Sequence, residues 1–212
     1  MGQHDKKDEG RLPGQHHGDL RRALLEAALV EIEASDGAAP SLRAVARRAN
    51  VSPGAPYHHF KGKDGLMAAV AVDGFEALRQ AQREALALSK PEERLETMSA
   101  QYVRFAAAHP THYRIMFAQS PATHSGDQAG HLRQVAMESF LNLAMAVAAV
   151  AGKVSEAEVR ARAHMAWSLA HGAVMTLVTG LTQALLVEEA EHVEVVARRV
   201  GRACVLIARH GV

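Results

Sequence analysis

The sequence predicts an all-α protein, and three observations predict it. Alanine, the strongest helix former, occurs throughout, and runs of β-branched residues are few. Apolar residues recur at helical spacing in segment after segment, without the period-two alternation of strands and without an internal repeat. Ser, Asn, Gly and Pro punctuate the places where helices start and stop. A length of 212 residues with 48% hydrophobic and 22% charged residues suits one or two compact globular domains.

Each element has its own warrant. Residues 1–17 mix charge with Gly, His and Pro and read as a flexible arm. A first helix over about Asp19 to Ser35 carries Leu25, Ala28, Leu29 and Ile32 on one face, and Gly37 and Pro40 stop it. Ser41 then caps a second helix with Leu42, Val45, Ala46 and Ala49 as its apolar stripe. Asn50 suits the left-handed residue that closes such a helix. Ser52, with Pro53 at the first position, opens a third helix, and a fourth runs from about Lys63 or Asp64 to Ser89. Five more follow: about Pro91 to His109, a short one holding Tyr113 to Phe117, Gln128 to Ala151, a long one to about Leu186, and Glu189 to Arg209. The long one opens on a Ser155-x-x-Glu158 capping box. That makes about nine helices.

The stretch Ser41 to Phe60 carries the chemistry. Two short helices meet across Asn50-Val51-Ser52, with Val51 as an apolar plug, which is a helix-turn-helix arrangement. From Gly37 to Lys63 the chain holds Arg43, Arg47, Arg48, Lys61 and Lys63 and no Asp or Glu, although the net charge is only +1. A basic patch on a neutral body fits a protein that touches phosphates with one end. Gly54 and Ala55 are small enough to let the backbone approach base edges. Tyr57, His58 and His59 offer hydrogen bonds, and Phe60 turns inward toward Leu25, Leu29 and Val45.

Residues 42–70 resemble the DNA-binding module of the TetR/AcrR transcriptional regulators, and the likeness extends back over residues 20–37. HPTHYRIMF (109–117) and AWSLAHGAVMTL (166–177) resemble the WHG-type C-terminal domain of that family, with Trp167, His171 and Gly172 as the matching residues. The resemblance implies a three-helix helix-turn-helix DNA-binding domain over 18–78 and a helical ligand-binding and dimerisation domain over 79–212. It implies Ser41, Tyr57, His59 and Lys63 at phosphates and Ser52, Pro53, Gly54, Ala55 and His58 at bases, with Arg43 and Lys61 adding charge. Two residues depart from the family pattern: Asn50 stands where Gly is commonest, and Pro56 falls inside the reading helix, where it removes one N–H.

Other chemistries fare poorly. Thirteen histidines form no His-Glu-x-x-His pattern, so no metal is expected. No Gly-x-Ser-x-Gly elbow and no phosphate loop occur, so no catalytic residue, cofactor or enzymatic activity is expected. The single cysteine, Cys204, excludes an internal disulfide and reads as packing material. A charged start without an apolar stretch is no secretory signal, no segment is long enough for a bilayer, and the expected place is the cytoplasm.

The expected effector pocket is walled by Tyr102, Phe105, Met116, Phe117, Met137, Met145, Trp167, His171 and Met175, with His171 hydrogen-bonded and Gly172 allowing close helix packing. Homodimerisation is expected through Gly172, Ala173, Thr176 and Gly180 and the stripe Val193, Val196, Val200, Ala203, Ile207. The expected function is a repressor on a palindromic operator, released by a small, largely hydrophobic effector. The competing expectation is an all-α small-molecule-binding protein or enzyme without DNA binding.

Overall fold

A computed structural model describes residues 13–35, 37–118, 127–181 and 192–211. Among them the chain is all helical: α1 (Pro13–Ala34), α2 (Leu42–Arg48), α3 (Gly62–Ala87), α4 (Arg94–Ala108), α5 (Pro110–Ala118), α6 (Asp127–Val150), α7 (Glu156–Val178) and α8 (His192–His210). Two short 3-10 turns, Ala55–His58 and Pro91–Glu93, complete the order. The chain divides into two compact units, residues 1–67 and 68–212. No helix among the described residues is long and apolar enough to cross a membrane.

The first unit is built by capping and a small core. Helix α1 begins at Pro13, six positions before the expected start, because proline needs no N–H in the first turn of a helix. The expected arm therefore lies outside the described residues up to Leu12, and the chain is helical from Pro13. Ser41 caps α2 as its residue type demands, its Oγ accepting the Ala44 N–H at 3.1 Å. Asn50 closes α2 at φ +54°, and the N–H of Val51 returns to the Ala46 carbonyl at 3.0 Å. The Asn50 N–H reaches the Arg47 carbonyl at 3.2 Å, so the pair completes a Schellman motif. Leu24, Leu25, Ala28, Ile32, Leu42, Val45, Ala46, Phe60 and Leu66 are buried, with Phe60 inward as expected.

The third element differs from the expectation. Ser52 and Pro53 do not open an α-helix; the chain instead makes a 3-10 turn over Ala55–His58. Pro56 has no N–H to return to an earlier carbonyl, so bonding proceeds by Ala55 to Ser52 and Tyr57 to Gly54, each i to i−3. Pro56 is itself buried, while Val51, the expected plug, is half-buried.

In the second unit α4 packs against α8, with α7 and α6 completing the layer. Leu95, Ala144, Val147, Ala163 and Ala208 form the shared apolar core. Arg104 of α4 binds Glu194 of α8 through both carboxylate oxygens, at 2.8 and 2.7 Å. Arg162 of α7 caps the end of α8 by donating to the Ala208 carbonyl at 2.8 Å. Helix α7 starts on Ser155, whose Oγ accepts the Glu158 N–H at 3.2 Å. The reciprocal half of the expected capping box is replaced by an ion pair of Glu158 with Arg162. The same helix ends at Val178 rather than near Leu186, because Thr179 folds its hydroxyl back to the Met175 carbonyl and Gly180 turns at φ +77°. Residues 182–191 lie outside the described residues.

Gly201 sets how closely α8 approaches α4. A Cβ there would stand 2.8 Å from the Glu96 carbonyl oxygen, a backbone atom that cannot swing aside. Gly201→Ala is expected to lower stability by about 1–3 kcal/mol, read from urea denaturation. Asn50→Ala is expected to cost about 1 kcal/mol while Asn50→Gly leaves stability unchanged, because only glycine adopts φ +54° without strain.

Candidate nucleic-acid interface and apolar cavity

The first unit presents its polar residues on one continuous stretch of chain. Ser41, Arg43, Ser52, Pro53, Gly54, Tyr57, His58, Lys61 and Lys63 are exposed, and Ala55 and His59 are half-buried. Tyr57 leaves 57% of its surface in solvent, a large exposed aromatic on a polar face. A Cβ on Gly54 would meet nothing within 4 Å, so its own unit has no steric need for glycine there. The room it leaves is outside the protein. One base of the patch is neutralised: Arg48 Nε lies 2.5 Å from Glu31 Oε1 of α1. That acid lies outside the acid-free sequence window and is brought in by the fold.

The second unit holds a partly open cavity of about 410 Å³, within the range of small-molecule sites. Phe75 comes from α3, Met98 and Tyr102 from α4, Met116 and Phe117 from α5, Phe140 and Leu143 from α6, and Trp167 and His171 from α7. Of the expected wall residues, Tyr102, Met116, Phe117, Trp167 and His171 line it. The other four do not. Met137, Met145 and Met175 are 58%, 64% and 41% exposed, because the cavity faces the Ala136–Phe140–Leu143 side of α6 and the Ala166–Ala170 side of α7. Phe105 is buried elsewhere on α4, its ring 4.8 Å from that of His109. Phe75, Met98 and Phe140 were missed because apolar residues on α3, α4 and α6 look alike until helix phase is known, and Ser99 adds a buried hydroxyl without a partner among the described residues.

One wall is ordered by hydrogen bonds. The Tyr113 hydroxyl lies 2.6 Å from His171 Nδ1, and the Tyr102 hydroxyl lies 3.2 Å from both. Trp167 stacks on His171 with centroids 5.0 Å apart, and Phe117 meets the same ring edge-on at 4.7 Å. Burial pushes Tyr113 up to about 12 and Tyr102 well above its ordinary range, so both stay protonated, and Tyr102 donates to Tyr113. Burial also lowers His171 below its usual 6.5, which keeps the imidazole neutral near pH 7.

The expected interface residues fall on several faces. Gly172 is exposed, and a Cβ there would meet nothing within 4 Å, so it does not serve close packing within the chain as expected. The glycines that do are Gly201 and Gly74, where a Cβ would stand 2.8 Å from Met116 Sδ. Ala173 is half-buried, Thr176 bonds the Ala173 carbonyl, and Gly180 ends α7. On α8, Val193 is exposed, Val196, Ala203 and Ile207 are half-buried, and Val200 is buried in its own chain. Cys204 is buried beside the Ala166 carbonyl, and burial raises its thiol above the ordinary range. No group of three or more His, Cys, Asp or Glu among the described residues is arranged to hold a metal.

Residues 24–70 match the family model of the bacterial regulatory proteins, tetR family, and residues 95–200 match that of the tetracyclin repressor-like C-terminal domain. The chain belongs to the TetR family. It is a DNA-binding transcriptional regulator, not an enzyme, of a family that dimerises, and the competing reading without DNA binding is not favoured. Solved structures share the fold. A protein of unknown function from Rhodococcus sp. RHA1 is 27% identical, with a TM-score of 0.71 over 92% of this chain and 98% of that one. The TetR family regulator PfmR from Thermus thermophilus is 19% identical, with a TM-score of 0.62 over 87% and 97%. The fatty acid degradation regulator FadR from Bacillus halodurans is 15% identical, with a TM-score of 0.64 over 87% and 97%.

The two lowered histidines give a pH dependence. His171 and His109 lie below 6.5 when folded, so between their folded values and 6.5 the unfolded chain binds more protons. Their contribution to stability is complete above 6.5 and declines as pH falls through that window. Urea midpoints are expected to be lower at about pH 5.5 than at about pH 7.5, and His171→Gln is expected to flatten part of that slope.

Proposed function

We propose that this regulator is a homodimeric repressor on a palindromic operator, released when a small, largely hydrophobic effector fills the cavity of the second unit. The observation that carries the reading is that cavity, walled by aromatic and thioether side chains in the unit that does not carry the helix-turn-helix. The domain division that goes with it is a DNA-binding domain over 18–78 and an effector and dimerisation domain over 79–212. An effector that fits the cavity better in one arrangement of the chain shifts the population toward it. DNA affinity falls if that arrangement no longer matches the half-site spacing.

Ser41, Tyr57, His59 and Lys63 serve as phosphate contacts, with Arg43 and Lys61 adding charge. Ser52, Pro53, Gly54, Ala55 and His58 approach the bases. The 3-10 geometry around Pro56 makes this reading element short, so few side chains reach base edges and the backbone near Gly54 comes close. For the dimer, the outward face of α7 offers Met165 at 41% and Leu169 at 38% exposure beside the bare Gly172, and α8 adds Leu206 at 58%. A twofold pair through α7 and α8 would bury these residues and repeat each reading element.

Selection of bound duplexes from a random pool, followed by anisotropy titration, tests the reading. A twofold-symmetric site bound by the dimer is expected, and a pool without enrichment would contradict it. Lys63→Ala is expected to weaken binding to all sequences alike and to reduce the slope of log K against log salt by about 1.8, for two lost phosphate contacts per dimer. Arg48→Ala, whose charge is already paired with Glu31, is expected to change the slope less.

A further inference from the structure

The cavity's polar groups say which ligands it takes. Among its described lining residues there is no Lys or Arg. Residues 119–126 and 182–191, outside the description, contain none either. Arg79, four residues after Phe75 on α3, is not in the lining; it pairs with Glu138 at 3.3 Å, and its buried Nε has no partner among the described residues. A carboxylate or phosphate taken into its apolar interior would lose its water and gain no opposite charge from the lining.

The donor side is set by His171. Its Nδ1 faces two tyrosine hydroxyls, at 2.6 and 3.2 Å, and both tyrosines hold their protons. Tyr102 donates to Tyr113; with Tyr113 donating in turn to Nδ1, the neutral imidazole carries its proton on Nε2. No protein partner for that N–H exists among the described residues, and the ring is held between Trp167 and Phe117. The cavity therefore has an apolar body of Phe75, Met98, Met116, Phe117, Phe140 and Trp167, with a few polar groups in its wall, of which the Ser99 hydroxyl and His171 Nε2 have no partner among the described residues.

We propose that the effector is an uncharged molecule with an aromatic or branched apolar body and one hydrogen-bond acceptor oxygen, of the ketone, ester, lactone or amide kind, which accepts from His171 Nε2. Carboxylates and other anions are excluded as effectors. This rests on the effector-release reading above and narrows it to a chemical class.

Three matched probes test it on the full-length dimer: butyrophenone with a neutral carbonyl, 4-phenylbutanoate with a carboxylate, and butylbenzene with no oxygen. Trp167 is the chain's one tryptophan and lines the cavity, so quenching of its fluorescence reports occupancy directly. Butyrophenone is expected to bind at least tenfold more tightly than 4-phenylbutanoate and several-fold more tightly than butylbenzene. His171→Phe is expected to remove the margin of butyrophenone over butylbenzene. If that variant does not fold, nitrogen NMR of the unaltered protein replaces it, the proton being expected on Nε2 and that nitrogen shifting with butyrophenone only. Carboxylate binding as tight as the ketone, no binding by any of the three, or an unmoved Nε2 would overturn the proposal. The release reading fails separately, if butyrophenone occupies the cavity and operator affinity does not change.

Discussion

The hydrogen bond between Tyr113 and His171 is the contact on which the second unit's architecture turns. Three polar side chains from α4, α5 and α7 meet inside otherwise apolar surroundings, and each would be costly to bury alone. Together they satisfy one another: Tyr113 reaches His171 at 2.6 Å, and Tyr102 bonds to both. Helical spacing does the rest. Phe117 lies one turn after Tyr113 and Trp167 one turn before His171, so fixing the polar pair sets two aromatic walls against each other. The cavity is the space those walls leave.

Against this stands the tight seam of α4 and α8, where Gly201 admits the Glu96 backbone and the Arg104–Glu194 fork ties the helices at their other end. The fork is half-exposed, so its contribution is small beside the packing it aligns. The first unit relies on different devices. Its core is small, and its chain direction is set by capping at Ser41, the left-handed Asn50 and the proline-shortened turn.

Features governed by local chemistry were legible in the sequence. Ser41, Asn50 and Ser155 act at helix ends because their side chains or backbone tolerance decide the geometry within a few residues. The all-helical class and the inward Phe60 followed from periodicity for the same reason. What depended on helix phase was not legible. Met137 and Met145 are as apolar as Phe140 and Leu143, and only the rotation of α6 against α7 decides that the first pair meets water and the second the cavity. Gly172 and Gly201 are likewise indistinguishable by type, yet only Gly201 has a backbone atom pressed against it. Pro56 gave a signal, a missing N–H, whose full consequence was a 3-10 turn in place of a helix.

If an effector in the cavity releases DNA, the linkage is reciprocal: each ligand changes the other's affinity by the same factor. The most direct measurement is the affinity of a cavity ligand, read by Trp167 quenching, for the free regulator and for the regulator saturated with its selected operator. Ligand binding to the DNA-bound form is expected to be weaker, by the same factor by which the ligand weakens DNA binding. Equal affinity for the two forms would contradict it.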